Sequence, residues 1–253
     1  MMRALILWFL LSLPAMAAAD SEEIVLGLSH DEVAITATFT GTDLLIFGAV
    51  KRDAPILPGS PLEVVITVSG PLTPVTVRHK ERRLGIWINT TSVGVDAAPS
   101  FYAVATTGPL RDVLSETEDL RRSISIPRAI RSVGADVANT ADYTEALIRI
   151  RAGEGQYQVL EGAVDLEQQT LFRTQVALPA NLIEGNYATR IFLTRDGRVV
   201  DSFETVIAVQ KVGVERWLFN LSNDMPLAYG LLSLAIAILA GWAASAAFQG
   251  SRR

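Results

Sequence analysis

The chain has 253 residues, of which 49% are hydrophobic and 19% are charged, and its formal net charge is −5. This length suits one large domain or two small ones, and a weak acidic balance excludes a protein built to bind nucleic acid. The chain contains no cysteine. Disulfides, thiolate nucleophiles, iron–sulfur clusters and thiolate zinc sites are therefore excluded.

The N-terminus has the pattern of a secretory signal peptide. Arg3 precedes an uncharged apolar stretch at residues 4–13, and small residues follow at 15–19. The apolar stretch is much shorter than the ~20 residues that cross a bilayer. We expect a signal peptide at residues 1–19, cleaved after Ala19 or alternatively after Ala17. An exported chain without disulfides fits a bacterial periplasm better than a eukaryotic cell surface.

The C-terminus contains a second, longer apolar segment. Residues 226–248 carry no charge, and Arg252 and Arg253 follow them. This length crosses a bilayer, and paired arginines favour the cytoplasmic side. We expect a single-pass inner-membrane protein with a periplasmic ectodomain, a juxtamembrane segment at 213–225 and a cytoplasmic tail at 249–253.

Small residues form a ridge along the predicted span, at intervals of four positions. Such a ridge permits close approach of another helix, from a membrane-protein partner or from a second copy of the chain, although a span rich in alanine produces one often by chance. The ridge consists of Ser233, Ala237, Gly241 and Ser245.

Between the two apolar ends the sequence is mainly of β type. Short β-branched runs separated by turn residues predict an N-terminal β-sandwich-like module at 20–108. Helical spacing, with Asp142 as a candidate N-cap, predicts a helical connecting segment at 109–155. Strands resume at 156–212, where Asp196 and Gly197 predict a tight hairpin. The expected fold is mainly β, with two sandwich-like modules of immunoglobulin-like size, a helical insert between them and one C-terminal transmembrane helix.

One basic segment is a candidate site for an anion or a lipid headgroup, because guanidinium and ammonium groups bind phosphate and sulfate. An ordinary basic hairpin tip is the alternative interpretation. The nearby Trp87, like Phe101 and Tyr102, either packs in the core or anchors a partner. The candidate anion-binding residues are Arg78, His79, Lys80, Arg82 and Arg83.

The remaining motifs give no catalytic, metal or cofactor site. His30 precedes two acidic residues, but adjacent residues in a turn rarely converge on one ion. Nucleophile elbows, dinucleotide fingerprints and Walker motifs are missing from the sequence. Acidic groups around Glu22 and Glu118 suggest solvated faces rather than an acid–base pair.

Residues 45–49, 70–71, 85–89 and 98–102, together with the terminal span, resemble a family of predicted transmembrane proteins from alphaproteobacteria. The resemblance implies a bacterial membrane protein of this layout, and implies no catalytic residues. It also implies a neighbouring permease of the sulfite-exporter type.

Three functions are compatible with these patterns. The first is a membrane-tethered periplasmic accessory module of an inner-membrane complex or transport process, without catalysis or cofactor. The alternative is a periplasmic receptor for a small anion, such as a sulfur oxyanion handled by that permease. An enzyme is the third and is supported by no motif.

Overall fold

The computed structural model describes residues 22–30, 32–36, 39–52, 59–133, 140–211 and 214–250. The predicted signal peptide and the two terminal arginines lie outside these residues. The strands are β1 (Glu22–Leu28), β2 (Glu32–Ile35), β3 (Thr42–Arg52), β4 (Glu63–Ser69), β5 (Leu72–Arg83), β6 (Ile86–Pro99), β7 (Tyr102–Thr106), β8 (Arg131–Val133), β9 (Tyr157–Leu160), β10 (Asp165–Glu167), β11 (Leu171–Leu178), β12 (Gly185–Arg195) and β13 (Arg198–Lys211). The helices are α1 (Leu110–Val113), α2 (Glu116–Arg122), α3 (Ile126–Ala129), α4 (Thr140–Gly153), α5 (Val214–Asp224) and α6 (Pro226–Gly250).

Two sheets form a sandwich that draws strands from both halves of the chain. One sheet has the order β1-β3-β11-β10, and the other has the order β2-β13-β12-β4-β7-β9. β3 pairs antiparallel with β11, and β4 pairs antiparallel with β12. The prediction of a mainly β, sandwich-like fold is confirmed. Strands from the predicted modules at 20–108 and 156–212 share these two sheets, so the two modules form one sandwich.

The core between these sheets follows the alternation of the strands. Ile46 of β3, Phe172 of β11 and Ile66 of β4 are buried in one cluster with Ile191 and Leu193 of β12. Consecutive residues of a strand point to opposite faces, so each apolar residue of this cluster has a neighbour on the other face of its sheet. In β4 the neighbours of Ile66, which are Val65 and Thr67, are also buried. The six-stranded sheet is therefore covered on both faces.

Helices and a small third sheet cover the second face of the six-stranded sheet. Val65 and Tyr102 from that sheet pack with Ile124 from the turn after α2 and Leu147 of α4. Val95 belongs to the third sheet, whose order is β5-β6-β8, and it packs in the same cluster. The described helices of the segment 109–155 thus cover this face of the six-stranded sheet. Its last helix begins at Thr140, so Asp142 lies inside the first turn and is not the N-cap.

The third sheet is dominated by one long hairpin of β5 and β6. β8 pairs with β6 only near its base, at Val95 and Ala97. Farther out, β5 and β6 pair only with each other among the described residues. The ribbon closes in a two-residue turn at Leu84 and Gly85, both with positive φ. The predicted turn at Asp196 and Gly197 has the same sign of φ at both residues and is confirmed.

Two helices follow the last strand. The predicted juxtamembrane segment contains α5, and the predicted span is α6. Among the described residues, one helix is long and apolar enough to cross a membrane, over the window Pro226–Ser245, and none of that window is buried against the rest of the protein. An exposed helix surface of this composition is stable in contact with lipid or with another apolar helix.

Candidate functional site

Two acidic groups predicted to be solvated are instead buried in ion pairs. Glu22 accepts hydrogen bonds from Arg52 at 2.6 Å and from Arg195 at 2.7 Å. Burial raises the pKa of Glu22, but hydrogen bonds and charge from Arg195 and Arg52 outweigh it, so the net pKa is lowered. Glu118 is likewise buried and pairs with Arg121 at 2.6 Å. Arg52 and Arg195 thus favour the charged form of Glu22, which suits structure rather than proton transfer.

The basic segment lies along β5, and part of it lines an open cleft against α4. The cleft has a volume of about 600 Å³, and Arg78, His79 and Lys80 form one wall. Asp142, Tyr143 and Arg149 are among the residues that α4 contributes to the opposite wall.

A hydrogen bond joins the two walls. Tyr143 Oη lies 2.8 Å from Thr91 Oγ1, and Thr91 is the cross-strand partner of His79. Tyr143 therefore fixes the spacing between α4 and the hairpin at the position where the cleft residues lie. Arg149 is a third cation of the site that the sequence did not indicate, because it lies on another element far along the chain.

The cleft residues can bind an anion, but their charged groups are exposed to solvent. Arg78, Lys80 and Arg149 are all exposed, and Asp142 offsets one of their charges. Charge attraction between exposed groups is weakened by water and screened by salt. The geometry therefore suits loose anion binding or a polyanionic surface better than tight capture of one small ion.

The other two predicted anion-binding residues lie away from the cleft, toward the turn of the hairpin. Arg83 pairs with Glu81 at 3.1 Å, and Glu81 is also 3.8 Å from His79. Arg82 forms no ion pair within the described part of the chain and is the cross-strand partner of Trp87. The structure thus separates the segment into a cleft group and a tip group.

The aromatic residues near the hairpin have opposite environments. Phe101 and Tyr102 are buried, as core packing requires, and Tyr102 Oη donates to Ile124 O at 2.9 Å. Trp87 is 68% exposed and Ile86 is 65% exposed. Of the two interpretations of Trp87, packing in the core is wrong, since the ribbon carries the side chain beyond the covering layer.

The small-residue ridge of α6 is exposed along its described length. Ser233 Oγ donates to Tyr229 O at 2.9 Å, so this hydroxyl is used within its own helix. Apart from the helix's own backbone and chain neighbours, nothing lies within 4 Å of the point where a Gly241 side chain would begin. The ridge therefore has room for a second helix at Gly241.

The histidines and carboxylates form no metal centre in the part of the chain that the structure describes. His30 is exposed and lies 2.9 Å from Ser29 Oγ, while His79 approaches only Glu81. No group of three potential metal ligands converges among the described residues.

Burial raises the pKa of Tyr157 to about 12, and its hydroxyl donates to Pro99 O at 2.8 Å. This tyrosine is a fixed hydrogen-bond donor.

A comparison with protein families decides what the chain is related to. The family model described as "Putative transmembrane protein (Alph_Pro_TM)" matches residues 23–250. The chain belongs to this family. A search of curated proteins finds no match to the chain. The Alph_Pro_TM match spans the sandwich, the hairpin and α6, so the resemblance predicted from the sequence is confirmed over nearly the whole chain.

Membership of the Alph_Pro_TM family agrees with the physical character of α6. A membrane association follows from the family description together with the exposed apolar window. The family description names no ligand, partner or reaction.

Proposed function

We propose that this chain is a membrane-tethered periplasmic accessory module of an inner-membrane complex or transport process, and that it has no catalytic activity of its own. The observation that supports this proposal is the join between α5 and α6. Only Met225 separates the two helices, and helical hydrogen bonds bridge it, from Met225 N–H to Leu221 O and from Tyr229 N–H to Met225 O, each at 3.1 Å.

A helical join of this kind limits how far α5 can move relative to the span. Pro226 occupies the first position of α6, where a missing N–H is tolerated. A Gly/Ser-rich linker behaves as a random coil, whereas a helix keeps its direction. A segment that has to be presented beside a particular membrane partner benefits from such a connection.

The sequence of α5, together with Met225 after it, supports a position of this helix at the membrane surface. Trp217, Leu218, Leu221 and Met225 recur at helical spacing, and Ser222 to Asp224 are polar. A helix with an apolar stripe and a polar face turns the stripe toward lipid or another apolar surface. The membrane would then hold α5 as well as α6.

The proposal is tested by purifying the crosslinked full chain from native membranes and identifying the attached proteins by mass spectrometry. We expect a discrete set of membrane proteins. Insertion of a short Gly-Ser linker after Asp224 should lower their yield, because it uncouples α5 from the span. The same insertion at the exposed turn at Gly162 is the control and should leave the yield unchanged. Enrichment of no protein over an unrelated single-pass protein would contradict the proposal.

A second candidate function is the receptor for a small anion, such as a sulfur oxyanion linked to a permease of the sulfite-exporter type. The observation in its favour is that Arg149 joins Arg78 and Lys80 at the cleft. Sulfate, sulfite or phosphate should then raise the melting temperature of the full chain in detergent. Replacing these three residues by Ser should abolish the rise.

The matched control for the receptor test removes three exposed cations that lie outside the cleft. Arg111, Arg128 and Arg198 are exposed and do not line the cleft. Their replacement by Ser changes the net charge equally and should preserve any anion-dependent rise. A melting curve that does not respond to the anions would reject the receptor.

A further inference from the structure

We propose that the tip of the β5–β6 hairpin docks onto an anionic lipid surface. Leu84, Ile86 and Trp87 would enter the headgroup region, and Arg82 and Arg83 would bind lipid phosphates. This inference goes beyond the proposed function, because it concerns lipid and requires no protein partner.

The first observation is a concentration of exposed apolar side chains at the end of the ribbon. Leu84 is fully exposed, and Ile86 and Trp87 keep about two thirds of their surface in water, at 65% and 68%. Leu84, Ile86 and Trp87 lie at or next to a single turn. Ile88, the next residue of β6, is also an exposed apolar residue. Scattered exposed apolar residues are ordinary, but a cluster at one projecting end marks a contact surface.

The second observation is the backbone conformation of Leu84. Its φ is 51°, and it is the first central residue of a two-residue turn whose second residue is Gly85. This turn requires positive φ at both positions and favours Asn, Asp or Gly, since a bulky side chain is disfavoured there. A leucine in this conformation, with its side chain wholly in water, does not serve the stability of the fold. Residues held in such conformations occur preferentially at functional positions.

The third observation is the distribution of charge. The whole chain has a formal net charge of −5. The outer half of β5 contains Arg78, Lys80, Arg82 and Arg83 but only one acidic residue, Glu81. An anionic surface therefore repels most of the protein and attracts this hairpin, which would turn the tip toward the membrane.

The order of residue types along the ribbon favours lipid over a protein groove. Leucine and isoleucine lie at and beside the turn, Trp87 lies one residue pair farther back, and its cross-strand partner is Arg82. Indole rings prefer the membrane–water boundary, and arginine reaches phosphates from there while its stem stays in apolar surroundings. The order of apolar residues, indole ring and arginine along the ribbon matches the order of apolar, boundary and phosphate layers at a bilayer surface.

The ribbon is long enough to reach away from the body of the protein. Among the described residues, its outermost hydrogen bond to α4 joins Thr91 and Tyr143. Five residues of the β5 side, from Lys80 to Leu84, lie beyond the level of that contact, which corresponds to about 17 Å at ~3.3 Å per residue. The span keeps the hairpin close to the bilayer, so even weak docking becomes an intramolecular event.

The absence of cysteine allows a direct test on the full chain in nanodiscs. Leu84→Cys carries an environment-sensitive fluorophore at the tip, and Gln168→Cys carries it at a matched control position. Gln168 is also an exposed turn residue with positive φ, at 49°. Nanodiscs are made of phosphatidylcholine alone or of phosphatidylcholine mixed with phosphatidylglycerol.

We expect the label at position 84 to shift to shorter emission wavelength and to lose access to an aqueous quencher when phosphatidylglycerol is present. The label at position 168 should respond to neither lipid. Adding Arg82→Gln to the labelled chain should lower the docking equilibrium constant about fivefold. Arg111→Gln, which removes an exposed cation elsewhere, should not change it.

Two results would overturn the proposal. One is a label at position 84 that remains as accessible to the quencher as the label at 168 in every lipid mixture. The other is protection of position 84 in native membranes but not in nanodiscs, which contain no other membrane protein. That result would assign the tip to a protein partner instead. Equal melting temperatures of the two labelled variants establish that neither label has disturbed the fold.

Discussion

Glu22 accepts two hydrogen bonds from Arg195, at 2.7 and 3.1 Å, although 173 residues separate them in the chain. Glu22 opens β1 and Arg195 closes β12, so this contact joins the two sheets of the sandwich. Both side chains are nearly buried, with Arg52 as the third member. β1 and β12 are therefore held together by a specific polar contact as well as by the apolar core.

Glu22→Gln should destabilise the protein strongly. The substitution leaves Arg52 and Arg195 nearly buried without a counter-ion, which typically costs about 3 kcal/mol or more. Chemical denaturation of the full chain in detergent would measure the loss. The adjacent Glu23 is exposed and pairs with Lys51 at 3.1 Å. Glu23→Gln is the control, and its effect should be about 0.5 kcal/mol or less.

The same ion pairs predict the direction of the pH dependence. The pKa of Glu22 is lowered in the folded protein. Its contribution to stability is therefore complete above the pKa of an unfolded glutamate, about 4.3. It is lost as the pH falls through the lower folded pKa, because the protonated group must give up its ion pairs. Denaturation curves between neutral pH and acid should show this loss in the native chain and a smaller slope in Glu22→Gln.

The sequence predicts most strands but not their partners. The alternation of residue types and the Asp196–Gly197 turn depend on neighbours in the chain, and these features are found in the structure. The pairing of β3 with β11 depends on residues more than a hundred positions apart, and local periodicity carries no information about it. The sequence therefore leaves open whether the two predicted modules form one domain.

The site was predicted only in part for a similar reason. The basic segment is visible in the sequence, yet strand geometry divides it between the cleft and the tip. Arg149 joins the cleft from α4, and no spacing rule connects it with Arg78. The exposure of Trp87 depends on how far the hairpin extends past the covering layer, which follows from tertiary packing alone.

Leu84→Asn should stabilise the protein while weakening any contact made by the tip. Asparagine adopts positive φ more readily than leucine, so the free energy of unfolding should rise by about 1 kcal/mol. Denaturation of the full chain in detergent would measure it. Leu72→Asn is the matched control, since Leu72 is an exposed leucine at the start of the same strand without positive φ. A gain of the same size at Leu72 would show that hydrophobic exposure, and not the backbone, is responsible.

Gly241→Leu should weaken association through the span without preventing insertion. Gly241 has open space beside it, so the isolated helix accommodates the new side chain. A partner helix packed on the ridge would be pushed away, at a cost of about 1 kcal/mol. Crosslinking yield in native membranes measures the effect. Leu239→Ile, at an exposed position off the ridge, should leave the yield unchanged, and equal yields for both variants would make α6 a simple tether.

The placement of the sandwich outside the cytoplasm is the claim on which the account depends most. It is tested by fusing a reporter that is active only in the periplasm, either at Gly213 or after Arg253. The account predicts activity at Gly213, between the sandwich and α5, and silence after Arg253, because paired arginines favour the cytoplasmic side. Silence at Gly213 together with activity after Arg253 would contradict it.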